Sequence, residues 1–455
     1  MPNDVSVGLA ALLARPLMQA LWSRRTHRVS SGTSIPAGTM TYYSNQPRAP
    51  LSELEEAVLI AVTGCTGLTM PDRPFSDPAT RKPIMAKPNL TMAGRTAGSP
   101  DNAQGTHFFM INDQGTFYLR KLPPAENGVD PLAPDVLVAR ARQSKVMVLD
   151  RRVDVGKDQR DFPAYLDSNR FLSNLPGTTV FFPVVDLSRQ YINGMMYILT
   201  QPDDARPTIV DDRNFYVPAG VKAWIKRGFL NKDIKIPLGV IGPLRTQIEA
   251  DLLLQNLMLV ADSMGLGAWI HGALTPPILL GDPKYTAKYG TMLGFDFATP
   301  RWRLLDILRW QIPLPKYANI RSNPIGLKHN GEYLIKAMCP PYYGSMSDAV
   351  DEIVKEKFGP AGIFRDQALF SKIYKDDYGK RYLSEAADYS ENVINCVRDI
   401  CTYIYKTHGR FPAHCDAIFA PGVWLQAHHI EDAYYERFFT HGLDMVHRDH
   451  NRQWH

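Results

Sequence analysis

The sequence has 455 residues, of which 45% are hydrophobic, 10% aromatic and 21% charged, and these proportions exclude a chain that is disordered throughout. The 51 basic and 46 acidic residues give a net charge of +5. That charge is too balanced for a general nucleic-acid-binding protein, but a few arginines could hold a small anionic ligand. The most apolar stretch, 252–261, is far shorter than the ~20 residues that cross a bilayer, so no membrane span is expected.

The cysteines indicate the compartment. The five cysteines form no Cys-x-x-Cys pair, a pattern typical of reduced thiols, and we expect a cytoplasmic protein. Residues 5–40 contain arginine and serine but no acid, which faintly resembles a transit peptide. The same stretch carries a basic motif that accounts for this composition, as described below.

The first 125 residues are predicted to contain two helices and a strand. The helices are expected at 7–22 and 52–62, and the strand at 107–112. Ser52 can cap the second helix, and acids lie in its first turn, where the helix dipole favours negative charge.

The middle of the chain holds an apparent insertion and then core elements. Residues 178–185 predict a buried strand, and 195–199 is another apolar run. Residues 246–264 predict a long helix that is apolar nearly all round, which is typical of a helix inside a domain or at a subunit interface. Gly265 is a natural end for this helix.

After residue 300 the pattern predicts a mostly helical region. An exposed amphipathic helix is expected at 347–358, and a helix with one apolar face at 384–406. A last helix is marked by three apolar residues at i, i+4 and i+8: Ile430, Tyr434 and Phe438. The polar tail 447–455 is expected to be frayed.

The first chemical signal is a basic loop at 23–28. It places three guanidiniums within five residues, those of Arg24, Arg25 and Arg28, next to a helix end. Such a group can clamp a phosphate bidentately. A solvated basic loop is the alternative interpretation.

The second signal is the polar segment 99–107, which runs into the predicted strand. Its amide side chains, Asn102 and Gln104, each offer a donor and an acceptor. That combination suits the edge of a heterocycle such as a flavin pyrimidine. A turn that merely feeds a strand is the alternative.

The third signal is the glycines at 265, 267 and 272. A dinucleotide-binding fingerprint follows a strand and opens a helix, whereas these glycines close a long helix. They favour instead a close approach of backbone to a flat ligand.

Taken in this order, the three segments resemble the nitroreductase family of FMN-dependent oxidoreductases. The basic loop is similar to the family's Arg-Arg-Ser-x-Arg motif, with Thr26 in place of serine. Residues 99–104 are similar to its Pro-Ser-x-x-Asn-x-Gln-Pro-Trp segment, with Ser99 and Pro100 inverted and Gly-Thr in place of Pro-Trp. The helix that ends in Gly-Leu-Gly is the most specific match. The matching segments are widely spaced and cover a minor part of the chain.

The resemblance implies an α+β fold, with a mixed or antiparallel sheet wrapped by helices, and a homodimer with FMN at its interface. It implies cofactor contacts from the phosphate-binding loop, from the two amides and from backbone near flavin N5. These residues are Arg24, Arg25, Thr26 and Arg28; Asn102 and Gln104; and Ile270, His271 and Gly272.

The implied reaction is hydride transfer through flavin N5 between NAD(P)H and an electron-poor small organic substrate. A nitro compound, a quinone or an activated alkene would qualify, and so would the oxidation of a small-molecule or peptide intermediate. The flavin carries the redox chemistry, so no catalytic side chain is implied.

The departures from the family pattern define the expected domains. The long interval between Gln104 and Gly265 predicts an insertion at about 125–235 within a flavin-binding core at 1–300. Within it, 211–218 is aromatic and charged, as an active-site lid can be. A mostly helical extension is expected at 301–455. The family's late basic pair has no clear match, and the candidates are Arg301, Arg303, Arg321 and Lys328.

No metal site is predicted. Residues 414–416 and 428–432 carry histidines and acids, and His428 and Asp432 are expected to share a helical face, but no tetrahedral Cys/His spacing is present. Two other functions stay open. One is a binding or assembly protein that keeps the scaffold without turnover, and the other is a metal-dependent hydrolase built on the C-terminal histidines.

Overall fold

The computed structural model describes residues 5–69, 94–126, 128–153, 171–202, 204–241, 243–272, 275–290, 292–298, 322–385 and 388–455. Its helices are α1 (Val5–Ala14), α2 (Leu17–Ser23), α3 (Glu53–Thr63), α4 (Pro134–Ser144), α5 (Leu187–Leu199), α6 (Lys222–Lys226), α7 (Pro243–Met264), α8 (Pro276–Leu280), α9 (Pro283–Tyr289), α10 (Met346–Phe358), α11 (Gln367–Ile373), α12 (Tyr378–Glu385), α13 (Glu391–His408), α14 (Asp432–Phe438) and α15 (Met445–Trp454). In this described part of the chain, every helix is too short or too polar to cross a lipid bilayer.

The strands are β1 (Thr106–Asn112), β2 (Gly115–Leu119), β3 (Lys145–Leu149), β4 (Thr179–Asp186), β5 (Pro207–Asp211), β6 (Val217–Pro218), β7 (Asn231–Pro237), β8 (Gly267–His271), β9 (Asp296–Ala298), β10 (Asn323–His329), β11 (Glu332–Lys336), β12 (Ile418–Phe419) and β13 (Trp424–His428). The main sheet has the order β3-β2-β1-β4-β13-β8, with β12 paired to β4. Its described pairings are all antiparallel. The chain therefore combines helices with antiparallel sheets, as the α+β prediction requires.

Two three-stranded sheets lie outside the main one. One has the order β11-β10-β9, and the other has the order β6-β5-β7, with β7 parallel to β5. Because β13 lies between β4 and β8, the region after residue 300 adds a strand to the main sheet. The division of the chain at residue 300 is a prediction that the described contacts do not test.

The central strands of the main sheet are buried on both faces. Every residue of β4 is buried, and alternate side chains along the strand enter different cores. Phe181 packs with residues of α3 and α7, whereas Phe182 packs with residues of α5 and α13. This alternation follows from the two-residue period of a strand. It places α7 against one face of the sheet.

Several predicted elements are confirmed, because their signals are local. α3 begins after Ser52, whose side chain forms a capping box with Glu55. The strands predicted at 107–112 and 178–185 are β1 and β4, and the long apolar helix is α7. Gly265 follows α7 with φ of +93°, a conformation that favours glycine.

Other predictions are wrong. The helix predicted at 7–22 is two helices, α1 and α2, because Pro16 caps the second and cannot continue the first. The helix expected from residue 384 begins at Glu391 instead. The tail expected to fray forms α15, in which His447, His450 and Trp454 are buried. α14 is therefore not the last helix.

A buried ion pair joins α7 to the start of β1. The Glu249 carboxylate on α7 accepts from Arg95 Nη1 at 2.9 Å and from the Thr106 backbone N–H at 2.9 Å, and both charged side chains are almost fully buried. Arg95 also donates to the backbone carbonyls of Thr63, at the end of α3, and Thr106. Since a buried charge is stable only when it is paired, this contact makes the local arrangement cooperative.

Removal of this carboxylate should be costly. We expect Glu249→Ala to lower the free energy of unfolding by about 3–5 kcal/mol, because it leaves the Arg95 guanidinium buried and unpaired. The matched control is Asp251→Ala, an exposed acid on the same helix, which should change that free energy by less than about 0.5 kcal/mol. Urea unfolding of both variants measures the difference, and equal effects would contradict the role of the ion pair.

Candidate functional site

The basic loop lies against the C-terminal half of α7. The Arg25 backbone N–H donates to the Asp262 carboxylate at 3.3 Å, and Arg24 Nη1 lies 3.8 Å from the Met258 sulfur. Arg24 also donates to the Thr26 hydroxyl at 3.3 Å. The loop thus packs on α7, with His27 buried and the side chains of Arg25 and Arg28 exposed.

The charges of this loop are not neutralised within the described residues. No described carboxylate pairs with Arg24, Arg25 or Arg28, and the Arg25 guanidinium bonds only to backbone carbonyls of the adjacent turn. Arg25 and Arg28 are exposed and Arg24 is half-buried. Three uncompensated guanidiniums in one loop can bind an anion such as a phosphate.

An aromatic stack joins the basic loop to the end of β8. The Arg28 guanidinium lies 5.3 Å from the ring centre of Trp269, and the Trp269 ring stacks on His271 with centroids 3.8 Å apart. Trp424 Nε1 donates to His271 Nδ1 at 2.8 Å, so the proton of the neutral imidazole is on Nε2. The structure therefore brings together two predicted residues, Arg28 and His271, through an intervening tryptophan.

Ile270 and Gly272, the other two predicted residues of this region, have different surroundings from His271. Ile270 points to the opposite face of β8 and packs against the core on the α7 side, and Gly272 follows the strand. Among the described strands, β8 pairs only with β13 and forms one edge of the sheet. Its outer backbone edge pairs with no other described strand, although the strand itself is largely buried.

The two predicted amides lie at the other end of α7. Ser99 Oγ bonds to the Glu249 carboxylate and accepts from the Gln104 backbone N–H at 3.0 Å. Asn102 and Gln104 have φ of +48° and +50°, both in the left-handed region. Gln104 Nε2 donates to Asn102 Oδ1 at 3.1 Å. We call residues 99–104 the amide turn, and its strained backbone is of the kind that persists at ligand sites.

One atom of the amide turn lacks a partner. Gln104 Oε1 is buried and accepts no hydrogen bond from any described residue. Such an atom costs about 1–3 kcal/mol unless a ligand or water donates to it. A ligand at this turn could satisfy this buried acceptor.

A lysine that the sequence analysis missed lies beside the amide turn. Lys121 Nζ donates to the Gln104 carbonyl at 2.5 Å. Burial, with help from the nearby Arg95 charge, lowers the pKa of Lys121 from 10.5 to about 7. Burial also lowers the pKa of the adjacent His107 well below its usual value. No local sequence signal marks Lys121, since its partner is distant along the chain.

The two sets of predicted residues are separated along α7. The amide turn contacts Glu249 and the basic loop contacts Asp262, which is 13 residues further along the helix. That interval corresponds to about 20 Å of α-helix. The sets thus lie toward opposite ends of one helix rather than around a single point.

A separate apolar cavity of about 660 Å³ lies on the other side of the Lys121 segment. Arg120 and Leu122 line it, while the intervening Lys121 side chain reaches the amide turn. None of the nine predicted cofactor-binding residues lines this cavity. Other residues of its wall come from α1, α3, α4 and α7 and include Leu9, Ala57, Val62, Leu137 and Val260.

The remaining candidates have mixed outcomes. Arg301, Arg303 and Arg321 lie outside the described residues, and Lys328 is in β10 with its amine 5.3 Å from the Tyr333 ring centre. The expected shared helical face of His428 and Asp432 is wrong, because His428 ends β13 and Asp432 begins α14. The first of these two residues therefore belongs to a strand.

The proposed lid and the 414–416 cluster are tied to the core. Asp211 is fully buried and bonds to His408 Nε2 at 2.8 Å, whereas Phe215 is exposed. His414 Nε2 lies 2.7 Å from the Asp212 carboxylate, and Asp416 pairs with Arg410. Residues 414 and 416 thus have different partners and do not form one ligand set.

Comparisons with known proteins do not identify a family. No family model and no curated protein matches the chain. Among solved structures, a protein of Ralstonia eutropha JMP134 that is provisionally described as a nitroreductase is 13% identical. The alignment covers 57% of this chain and 71% of that protein, with a TM-score of 0.23. A score this low does not show a shared fold.

The half-buried Lys121 should make stability depend on pH in a defined direction. Its pKa is lower in the folded chain, about 7, than the ordinary 10.5, so the unfolded chain binds more protons between these values. The free energy of unfolding should therefore rise with pH from 7 to 10.5, by roughly 3–5 kcal/mol from this group. Lys121→Met should lack that rise. Urea unfolding of wild type and variant at several pH values isolates the contribution of Lys121. If the free energy of unfolding changes with pH in parallel in the two proteins, the prediction is contradicted.

Proposed function

We propose that the chain is an FMN-dependent oxidoreductase that transfers hydride between NAD(P)H and an electron-poor small organic substrate. The observation that carries the proposal is the Gln104 oxygen that accepts from no described residue, in a strained turn packed on the same helix as three arginines that no described carboxylate neutralises. FMN has a phosphate at one end and a pyrimidine ring with an N–H donor at the other. The two sets of residues suit those two ends.

The residues present fit the cofactor chemically. Arg24, Arg25 and Arg28 would hold the phosphate, with Thr26 beside them, since guanidiniums form charge-assisted bonds to phosphate oxygens. Gln104 Oε1 would accept from the pyrimidine N–H, which would satisfy a buried acceptor. FMN, when bound, would supply the hydride chemistry at N5.

Lys121 would control charge at the pyrimidine end. Its pKa of about 7 means that the amine gains or loses its proton near neutral pH. In its protonated form it would offset negative charge beside the amide turn, and its bond to the Gln104 carbonyl would hold the turn in place. Ile270, His271 and Gly272 would present the outer edge of β8 to the ring.

The proposal includes a homodimer, for which an exposed apolar face gives support. Leu17, Met18 and Trp22 on α2 are 63–80% exposed, and Ile248 and Leu252 on α7 are 40–42% exposed. α2 packs on α7, and Ile248 and Leu252 lie one turn apart on the same side of the helix. Apolar side chains as exposed as these on two packed helices favour a second copy as their cover.

Cofactor binding is tested with variants that report separately on the phosphate end and the ring end of FMN. Purified chain should show flavin absorption and release FMN rather than FAD on heating. Arg24→Ala, Arg25→Ala and Arg28→Ala should each weaken FMN about 10-fold and leave riboflavin, which lacks the phosphate, unchanged. Gln104→Leu should weaken both ligands. The control is Arg381→Ala, an exposed arginine of α12.

Two outcomes would contradict parts of this proposal. A colourless protein that takes up neither ligand would exclude the flavin site. A flavin-loaded protein that oxidises neither NADH nor NADPH with a quinone or nitro acceptor would instead favour the alternative, a binding or assembly protein without turnover.

The dimer is tested by placing charged side chains on its proposed apolar interface. Wild type should sediment as a dimer, and the double variant Trp22→Glu/Leu252→Glu should sediment as a monomer, because burying two carboxylates in an apolar interface is costly. Val240→Glu is the control, since Val240 is 74% exposed but outside this face. A wild-type chain that sediments as a monomer at micromolar concentration would exclude this interface.

A further inference from the structure

We propose that Glu55, His429, His450 and His455 form a binding site for one divalent transition-metal ion of the Zn²⁺ type. The ligand atoms of these four side chains all lie within 4.8 Å of one another. Three imidazoles and one carboxylate are a donor set that suits Zn²⁺ and neighbouring first-row ions. The proposal does not depend on the flavin.

The four side chains converge from three segments of the chain. Glu55 Oε1 lies 2.7 Å from His450 Nε2 and 3.2 Å from His455 Nε2, and Glu55 Oε2 lies 3.3 Å from His429 Nε2. Donors that share one Zn²⁺ at about 2.0–2.2 Å lie at most about 4 Å apart. Only small side-chain adjustments are therefore needed for all four atoms to contact one ion.

The tautomer of His450 suits a ligand. Its Nδ1 lies 2.8 Å from the Met264 carbonyl, and because a carbonyl only accepts, Nδ1 carries the proton. In the neutral ring Nε2 then presents its lone pair toward Glu55. Although the two atoms are close, Nε2 makes no hydrogen bond with any described residue. A carbonyl behind the far nitrogen is the usual support of a metal-bound histidine.

The carboxylate is also prepared for an ion. The Ser52 backbone N–H donates to Glu55 Oε2 at 2.6 Å, which orients the group and leaves Oε1 toward His450 and His455. The carboxylate is thus held by a backbone donor, with one oxygen directed toward two of the histidines.

An ion can reach this cluster. A polar cavity of about 300 Å³ is lined by His429 and His450, together with Ser31, Gln46 and Gly265. His455 is itself exposed at the edge of the cluster. The site thus has buried ligands and an open approach, which a site that exchanges its ion requires.

The test uses the full chain without a histidine tag, after removal of bound metal with EDTA. Titration with Co²⁺ should produce visible absorption bands that saturate at one ion per chain, and Zn²⁺ should displace them. Zn²⁺ should also raise the melting temperature of wild type, because it binds only the folded chain.

Two ligand variants and one control localise the site. Glu55→Gln and His450→Gln should weaken Co²⁺ binding by at least about 100-fold, more than the loss of a residue that merely supports a ligand. Gln at position 55 can still complete the capping box of α3, so the helix should form. His428→Gln removes the neighbouring histidine, which is buried in β13 outside the cluster, and should leave binding unchanged.

The outcomes are distinct. Saturable uptake by wild type and His428→Gln, lost in the two ligand variants, supports the site. Absence of uptake by wild type, or uptake that the ligand variants retain, overturns it. FMN content, measured on the same samples, reports the flavin proposal separately.

Discussion

One buried ion pair, Glu249 with Arg95, is the constraint on which the candidate flavin site depends. The carboxylate also bonds to Ser99 and to the backbone of Thr106, and the guanidinium reaches the carbonyl of Thr63. Because desolvated charges are stable only when every partner is in place, these groups cannot move independently. The end of α3, the start of β1, the amide turn and α7 therefore meet in one arrangement. This rigidity can hold the backbones of Asn102 and Gln104 in left-handed conformations that would otherwise relax.

Much of this framework could be predicted because its signals are local. A capping serine and first-turn acids mark α3, and a run of apolar residues closed by Gly265 marks α7. The basic loop and the amide turn were recognised as chemical segments for the same reason, since their residue types are adjacent in sequence. What could not be predicted is that both pack on α7, because the contacts of Glu249 and Asp262 join residues far apart in the chain.

Two further misses share one cause. The segment 447–455 is polar and suggests a frayed tail, yet His450 is buried beside Glu55, nearly 400 positions earlier. Histidine and glutamate are polar in any composition-based pattern, and only their convergence in three dimensions lets them satisfy one another. Lys121 is a similar case, because its bond to the Gln104 carbonyl and the nearby charge of Arg95 come from other segments of the chain. Sequence patterns report burial of apolar faces, whereas buried polar clusters need the tertiary structure.

The histidine cluster and the basic loop are mechanically connected. The Ser31 backbone N–H donates to the His429 carbonyl at 2.8 Å, and the Glu431 backbone N–H donates to the Val29 carbonyl at 3.1 Å. One turn further on, the Tyr435 hydroxyl accepts from the Arg28 backbone N–H at 2.6 Å. The segment that carries His429 thus also supports the backbone of the basic loop. Two backbone hydrogen bonds and the Tyr435 hydroxyl therefore fix the position of the basic loop relative to the backbone of His429.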